Sequence, residues 1–209
     1  MKIIFARHGE SQANLQHEFS NQGLKHPLTL EGRQQAAALA DALQTQSVTY
    51  IYSSPVLRAL ETAIILAGRL GVEYEVAEAL REYDVGLLEG RSDDEAWRAW
   101  QTLDDAWLRQ ERWDQCSEGG ESFYAMRQRF VPFIRRLVQD CAQGQACLLC
   151  VGHGGLYRHM LPQVLINVDA AFITRHGGLS YTTFITAEST PRGLVCTTWN
   201  GKPVESPAP

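Results

Sequence analysis

Apolar residues fall in short unbroken runs separated by amphipathic stretches, the alternation expected of buried strands joined by helices that pack on them. Residues 2–6, rich in Ile and Phe, form the first run, which stops at Arg7. Residues 11–27 keep no period and carry Gly, Asn, His and Gln, predicting a loop with one helical turn after Gly9. Thr29 has the short hydroxyl of an N-cap, Glu31 lies in the first turn, and an Ala/Leu stripe predicts a helix to residue 43. Residues 48–52 read as the second strand. Ser54 and Pro55 read as a helix start, since proline in the first position loses no needed N–H, and Gly71 ends that helix. Residues 73–76 predict a third strand, 77–92 a long connection and 93–111 a helix. Gly119 and Gly120 break the pattern before a helix over 122–142, whose interior Pro132 predicts a kink. Residues 146–151 read as the fourth strand, 154–165 as a helix, and 179–187 with 193–199 as an antiparallel pair. The alternation predicts a three-layer α/β/α sandwich with a mostly parallel sheet. It is read as one domain over 1–200 with a helical lid inserted at about 92–122, followed by a flexible tail at 201–209.

Composition narrows the partners. Hydrophobic residues at 44% and charged residues at 21% of 209 are ordinary for a globular chain and exclude a disordered or collagen-like one. The 19 Lys and Arg against 24 Asp and Glu give a net charge of −5, which disfavours nucleic acid or an anionic membrane as partner and makes any anion site local. No apolar run approaches the ~20 residues that cross a bilayer, and MKIIFARHGE meets charge too early for a signal peptide, so a soluble cytoplasmic protein is expected. Five scattered cysteines, an odd number, fit reduced thiols in that compartment. Cys147 and Cys150 form a C-x-x-C, but within ACLLCV they read as opposite faces of a buried strand rather than a redox or zinc pair.

In a parallel sheet, ligands bind beyond the carboxyl ends of the strands. Those ends carry Arg7, His8, Gly9 and Glu10; Ser53, Ser54 and Pro55 with Arg58 one turn on; Arg81 and Glu82; and Gly152, His153, Gly154 and Gly155. Guanidinium forks beside glycines suit a phosphoryl group in charge and geometry. A neutral imidazole that gives one N–H to a backbone carbonyl keeps a lone pair on the other nitrogen for attack on phosphorus, and His8 is placed for it.

Four ordered segments, RHGESQAN at 7–14, SSPVLRALETA at 53–63, REYDVGLLEG at 81–90 and VGHGG at 151–155, together with PLTLEGRQQA at 27–36 and GGES at 119–122, resemble the histidine phosphatase superfamily, the phosphoglycerate mutase-like proteins. The resemblance covers nearly the whole chain. It implies a phosphohistidine at His8, a phosphate clamp of Arg7, Arg58 and His153, a proton donor at Glu82 and a further phosphate contact at Asn14. Substrate contacts in the following loop fall at Ser20, Asn21 and Gln22, and one more at Gly154. It implies a metal-independent phosphomonoesterase acting on a small phosphorylated metabolite, with no cofactor.

Two rivals stand beside that expectation. One is a phosphoglycerate mutase, in which a second substrate oxygen rather than water takes the phosphoryl group; EYDVGLLEG resembles the phosphatase branch, where mutases typically carry H-Y-G. The other is a catalytically silent phosphate-ligand binding module, disfavoured because no clamp residue is missing. His17, His26, His159 and His176 read as surface or packing residues. Trp97, Trp100 and Trp107 share a helical face and read as packing. With Trp113, Arg98, Arg109 and Arg112 they suit a lid that touches the leaving group.

Overall fold

A computed structural model of the protein describes residues 1–141 and 144–205. The order of elements is β1 (Lys2–Arg7), α1 (Gln12–Leu15), α2 (Leu30–Leu43), β2 (Tyr50–Ser53), α3 (Leu57–Leu70), β3 (Tyr74–Val76), α4 (Asp94–Arg109), α5 (Phe123–Asp140), β4 (Cys147–Gly152), α6 (Gly154–Met160), α7 (Ala170–His176), β5 (Phe184–Thr190), β6 (Gly193–Trp199) and β7 (Lys202–Pro203). One sheet runs in the order β3-β2-β4-β1-β5-β6-β7. Pairing is parallel from β3 through β2 and β4 to β1 and antiparallel from β1 outward through β5, β6 and β7.

Alternation along the strands builds two cores. Ile4, Ala6, Cys147, Leu149 and Val151 face one side, where Leu39 and Leu43 of α2 and Ala63 and Leu66 of α3 cover them. Ile3, Phe5, Leu148 and Cys150 face the other, against Phe130 and Ile134 of α5 and Leu156 and Met160 of α6. Successive side chains of a strand point to opposite faces, which is why Cys147 and Cys150 stand in different layers as free thiols. Burial pushes the thiol pKa of Cys150 up, further from redox chemistry.

The expected architecture is present, with local corrections. Thr29 caps α2 by accepting from Gly32 N. The proline-led start does not hold: α3 begins at Leu57, because Ser54 Oγ accepts from Val56 N at 3.2 Å in a turn that delays the helix. α6 ends at Met160, and a 3₁₀ turn, Leu161–Gln163, follows, since Pro162 has no N–H to continue the ladder. α7 was not expected; Asp169 caps it at Phe172 N, and His176 stacks on Phe172 at 4.1 Å. β5 begins at Phe184 rather than at 179, because residues 178–183 turn back over the end of β1. The tail assigned to 201–209 starts too early, as Lys202 and Pro203 pair with β6. Residues 206–209 and Ala142, the expected end of α5, lie outside the described residues. α5 continues through Pro132 as one helix. Among the described residues no helix is long and apolar enough to cross a membrane.

Candidate active site

Register brings the carboxyl ends of three strands together. Arg7 of β1 pairs with Gly152 of β4, His8 N donates to Gly152 O at 3.1 Å, and Ser54 N donates to Val151 O at 2.9 Å. The residues just beyond these ends therefore share one mouth, lined by Arg7, His8, Asn14, Arg58, Glu82 and Gly154.

Hydrogen bonds fix the protonation state of both histidines. His8 is buried, its Nδ1 is 2.7 Å from Gly9 O, and Arg58 Nε donates to its Nε2 at 2.9 Å. A guanidinium can only donate, so Nε2 holds the lone pair and Nδ1 the proton. Burial first, then the charges of Arg58 and Arg7, holds the His8 pKa well below the usual histidine value. Arg58 Nη2 lies 3.2 Å from His153 Nδ1, so that nitrogen too is unprotonated, and Nε2–H donates to Ser54 Oγ at 2.7 Å. Burial, followed by Arg58, His8 and Arg7, holds the His153 pKa well below its usual value.

The cations around these rings are held in place. Arg58 is buried, its Nη1 donates to Ser20 O, and burial brings its pKa down to about 10, which leaves it cationic at neutral pH. Thr62 Oγ1 accepts from Gly9 N at 3.1 Å and donates to Arg58 O at 2.7 Å, tying the segment after β1 to α3. Arg7 Nη1 donates to Leu179 O at 2.7 Å and the guanidinium lies 4.3 Å over the Tyr181 ring, whereas its buried Nε has no hydrogen bond within the protein. An orphaned buried donor costs about 1–3 kcal/mol, and a phosphoryl oxygen would satisfy it.

Glu82 is the buried carboxyl of the site. Gly155 N donates to Oε2 at 3.0 Å and Tyr83 N to Oε1 at 3.2 Å. Desolvation raises its pKa above the ordinary carboxylate value, only partly offset by Arg58 and these backbone donors. Gly155 has to be glycine, since a Cβ there would stand 2.7 Å from Tyr83 Cε1 and 2.9 Å from Glu82 Oε2. Among the described residues no group of three His, Cys, Asp or Glu could hold a metal ion.

The expected loop contacts divide. Asn14 Oδ1 accepts from Ser11 N and Ser11 Oγ, leaving Nδ2 as its donor to the pocket. Ser20 and Asn21 line the pocket, Asn21 Nδ2 donating to Tyr83 O at 2.9 Å. Gln22 is a correction: it is exposed and outside the pocket, because the chain turns to solvent after the anchored Asn21. The lid arginines are another. Arg98, Arg109 and Arg112 do not line the pocket, and Arg109 pairs with Asp105 at 3.0 Å; the lid contributes Trp97 and Trp100, and the outer guanidinium is Arg158 of α6. His159, expected to be surface or packing, is buried among the rings of Tyr83, Trp107 and Phe123.

Sequence reasoning missed Tyr181 and Arg158, and placed Ser54 at a strand end without its contact to His153. Ser54 accepts from both Val56 N and His153 Nε2, and this double acceptor turns His153 Nδ1 toward Arg58. Ser54→Ala is expected to weaken inorganic phosphate binding about 10-fold through loss of a hydrogen bond of ~1.4 kcal/mol, with Ser54→Thr retaining the hydroxyl and restoring most of it; competitive inhibition constants measure both.

A buried neutral histidine just past β1, two guanidiniums beside it and a buried carboxyl, set on a three-layer sandwich, are the arrangement expected of proteins that transfer phosphoryl groups through histidine. The chain belongs to the histidine phosphatase superfamily (branch 1), which it matches over residues 3–202. It is 31% identical over 160 residues to the glucosyl-3-phosphoglycerate phosphatase of Mycolicibacterium vanbaalenii, covering 74% of this chain and 70% of that one. The solved structure of the mycobacterial glucosyl-3-phosphoglycerate phosphatase superposes with a TM-score of 0.77 at 25% identity, covering 96% of this chain and 99% of that one. The alpha-ribazole phosphatase of Shigella flexneri gives 0.77 at 25% identity over 98% of this chain and 100% of that one. A protein of Enterobacter sp. named "Probable phosphoglycerate mutase GpmB" is 35% identical over 104 residues, so the chain spans about half the length of that relative, 48%. Of these relatives, those matched over most of their length carry phosphatase names and the one matched over about half carries a mutase name.

Proposed function

We propose that this protein is a phosphomonoesterase that hydrolyses small phosphorylated metabolites by two in-line displacements through a phosphohistidine, using neither metal nor organic cofactor. In the first, His8 Nε2 attacks phosphorus, the bond to the leaving oxygen breaks, and the Glu82 proton passes to that oxygen. In the second, Glu82 takes a proton from water as the water oxygen attacks phosphorus, and the P–N bond breaks to return the lone pair to Nε2. Arg7, Arg58 and the Asn14 amide hold the equatorial oxygens throughout, and His153 joins them once the arriving phosphoryl dianion draws a proton to Nδ1 and gives it an N–H to donate; this is where most of the rate enhancement arises.

The observation that carries this reading is the lone pair on His8 Nε2, fixed by the Gly9 carbonyl on one side and pointing into the arginine clamp on the other. Brief exposure to a ³²P-labelled ester, quenching without acid and peptide mapping should place acid-labile, base-stable label on His8. Label elsewhere, or none during turnover, would refute the mechanism. The mutase reading is favoured by the name of the GpmB relative. It is tested in the same experiment by following where the label goes: inorganic phosphate marks a phosphatase, a second phosphoglycerate a mutase.

A further inference from the structure

Beside the phosphoryl clamp the same pocket is lined by Phe19, Trp97, Trp100 and Leu179, with Glu18 and Arg158 as further charged groups. The three rings form one cluster: Phe19 lies 4.3 Å from Trp97 and Trp97 lies 5.7 Å from Trp100. Both indole N–H groups are spent on the protein, Trp97 Nε1 donating to His17 O at 2.9 Å and Trp100 Nε1 to Tyr83 Oη at 2.5 Å. What the indoles have left for a ligand is carbon.

The two charged groups are compensated from behind. Arg158 grips Asp104 with Nε at 3.1 Å and Nη2 at 3.3 Å. Glu18 Oε1 accepts from Lys25 Nζ at 2.5 Å and lies 3.0 Å from His26 Nε2. Lys25 first, then His26, holds the Glu18 pKa below its ordinary value, so it stays an anion facing the pocket. Among the described residues lining the pocket, no cation beyond Arg7 and Arg58 lacks a carboxylate partner.

From this wall, and resting on the phosphatase reading above, we infer that the alcohol released by the enzyme is uncharged and presents an aromatic or hydrocarbon face, which seats on Trp97 and Trp100 while any hydroxyl meets Glu18 or Arg158 Nη1. A second anionic group on the leaving alcohol would give up its hydration beside the Glu18 carboxylate, with Lys25 already paired to that carboxylate and Arg158 to Asp104. An apolar face gains from leaving water against ring carbons and loses nothing to the indole N–H groups.

Three esters of aliphatic alcohols separate the possibilities while keeping the leaving-group chemistry similar: 2-phenylethyl phosphate, glycerol 3-phosphate and 3-phosphoglycerate. Wild-type kcat/KM should favour the phenylethyl ester over glycerol 3-phosphate by about 10- to 100-fold, as expected for burying one ring, and 3-phosphoglycerate should trail both. Trp97→Leu, which keeps an apolar side chain but removes the ring, should narrow the first ratio several-fold. Glu18→Gln, which removes charge at constant shape, should narrow the gap between glycerol 3-phosphate and 3-phosphoglycerate. A wild-type preference for 3-phosphoglycerate over the phenylethyl ester overturns the inference, as do ratios unmoved in both variants. These failures are distinct from failure of the phosphatase reading, in which wild-type enzyme would neither hydrolyse any ester nor carry label on His8.

Discussion

Replacing His8 by alanine should lower turnover by about 10⁴-fold or more, the scale on which removal of a covalent nucleophile acts. The site contains two neutral histidines with lone pairs, their ring centroids 5.1 Å apart, and their geometry distinguishes them. His8 offers Nε2, the outer nitrogen, flanked only by ring C–H groups. His153 offers Nδ1, which sits beside the carbon bearing its own side chain and is hindered as a nucleophile. The second ring is therefore suited to touch a phosphoryl oxygen rather than phosphorus, as a donor once the phosphoryl dianion draws a proton to its Nδ1. His153→Ala should accordingly keep phosphohistidine formation and lose about 10²- to 10³-fold in rate, the usual cost of one transition-state donor. Single-turnover kinetics with label mapping distinguish the two: a His8→Ala enzyme that still accumulates label, or a His153→Ala enzyme that forms none, would reverse the assignment.

Where sequence reasoning reached the site, it did so because a chemical group follows a strand end directly. His8 stands one residue after β1 and His153 one residue after β4, so an apolar run with a histidine two residues past its end marks both places. Glu82 was reachable through its motif, but its burial comes from Gly155, a residue 73 positions away. Tyr181 and Leu179 reach Arg7 from residues that read as the start of a strand but form a turn before β5, and Arg158 enters the pocket where α6 turns its side chain toward Asp104 of the lid. Ser54 was legible as a helix start and wrong as one. Its hydroxyl bonds Val56 N and His153 instead of capping from the predicted position, a tertiary demand that overrides local preference. α7 is only Ala170–His176, too short for an apolar stripe to repeat, and its cap Asp169 was the one signal available. The lid misassignment has the same origin: its helix was legible, but which of its faces meets the pocket is decided by Phe19 and Tyr83 from other segments.

The Glu82→Gln enzyme should lose about 100-fold or more on alkyl phosphates and much less on p-nitrophenyl phosphate, because a nitrophenolate leaves without being protonated whereas an alkoxide does not. The variant also disturbs packing: both carboxyl oxygens accept backbone N–H groups, and glutamine has only one oxygen to offer them. A loss from misfit alone would fall equally on both esters, so the difference between them isolates proton transfer. The pH dependence supplies a second separation. In the proposed mechanism Glu82 works protonated as the acid, and since burial raises its pKa the active form would persist to higher pH than an ordinary carboxyl allows and be lost as pH rises through that value. His8 works unprotonated, and with its pKa depressed it stays active to lower pH than an ordinary histidine and is lost only as pH falls through that value. For alkyl esters kcat/KM should therefore rise on the acid side with His8 and fall on the alkaline side with Glu82. In Glu82→Gln the alkaline fall due to the enzyme should vanish while the acid limb stays where it was, with ionisation of the ester common to both enzymes. An unchanged alkaline limb, or equal losses on the two esters, would move the acid role to another group near the pocket, with Asp84 the first to test.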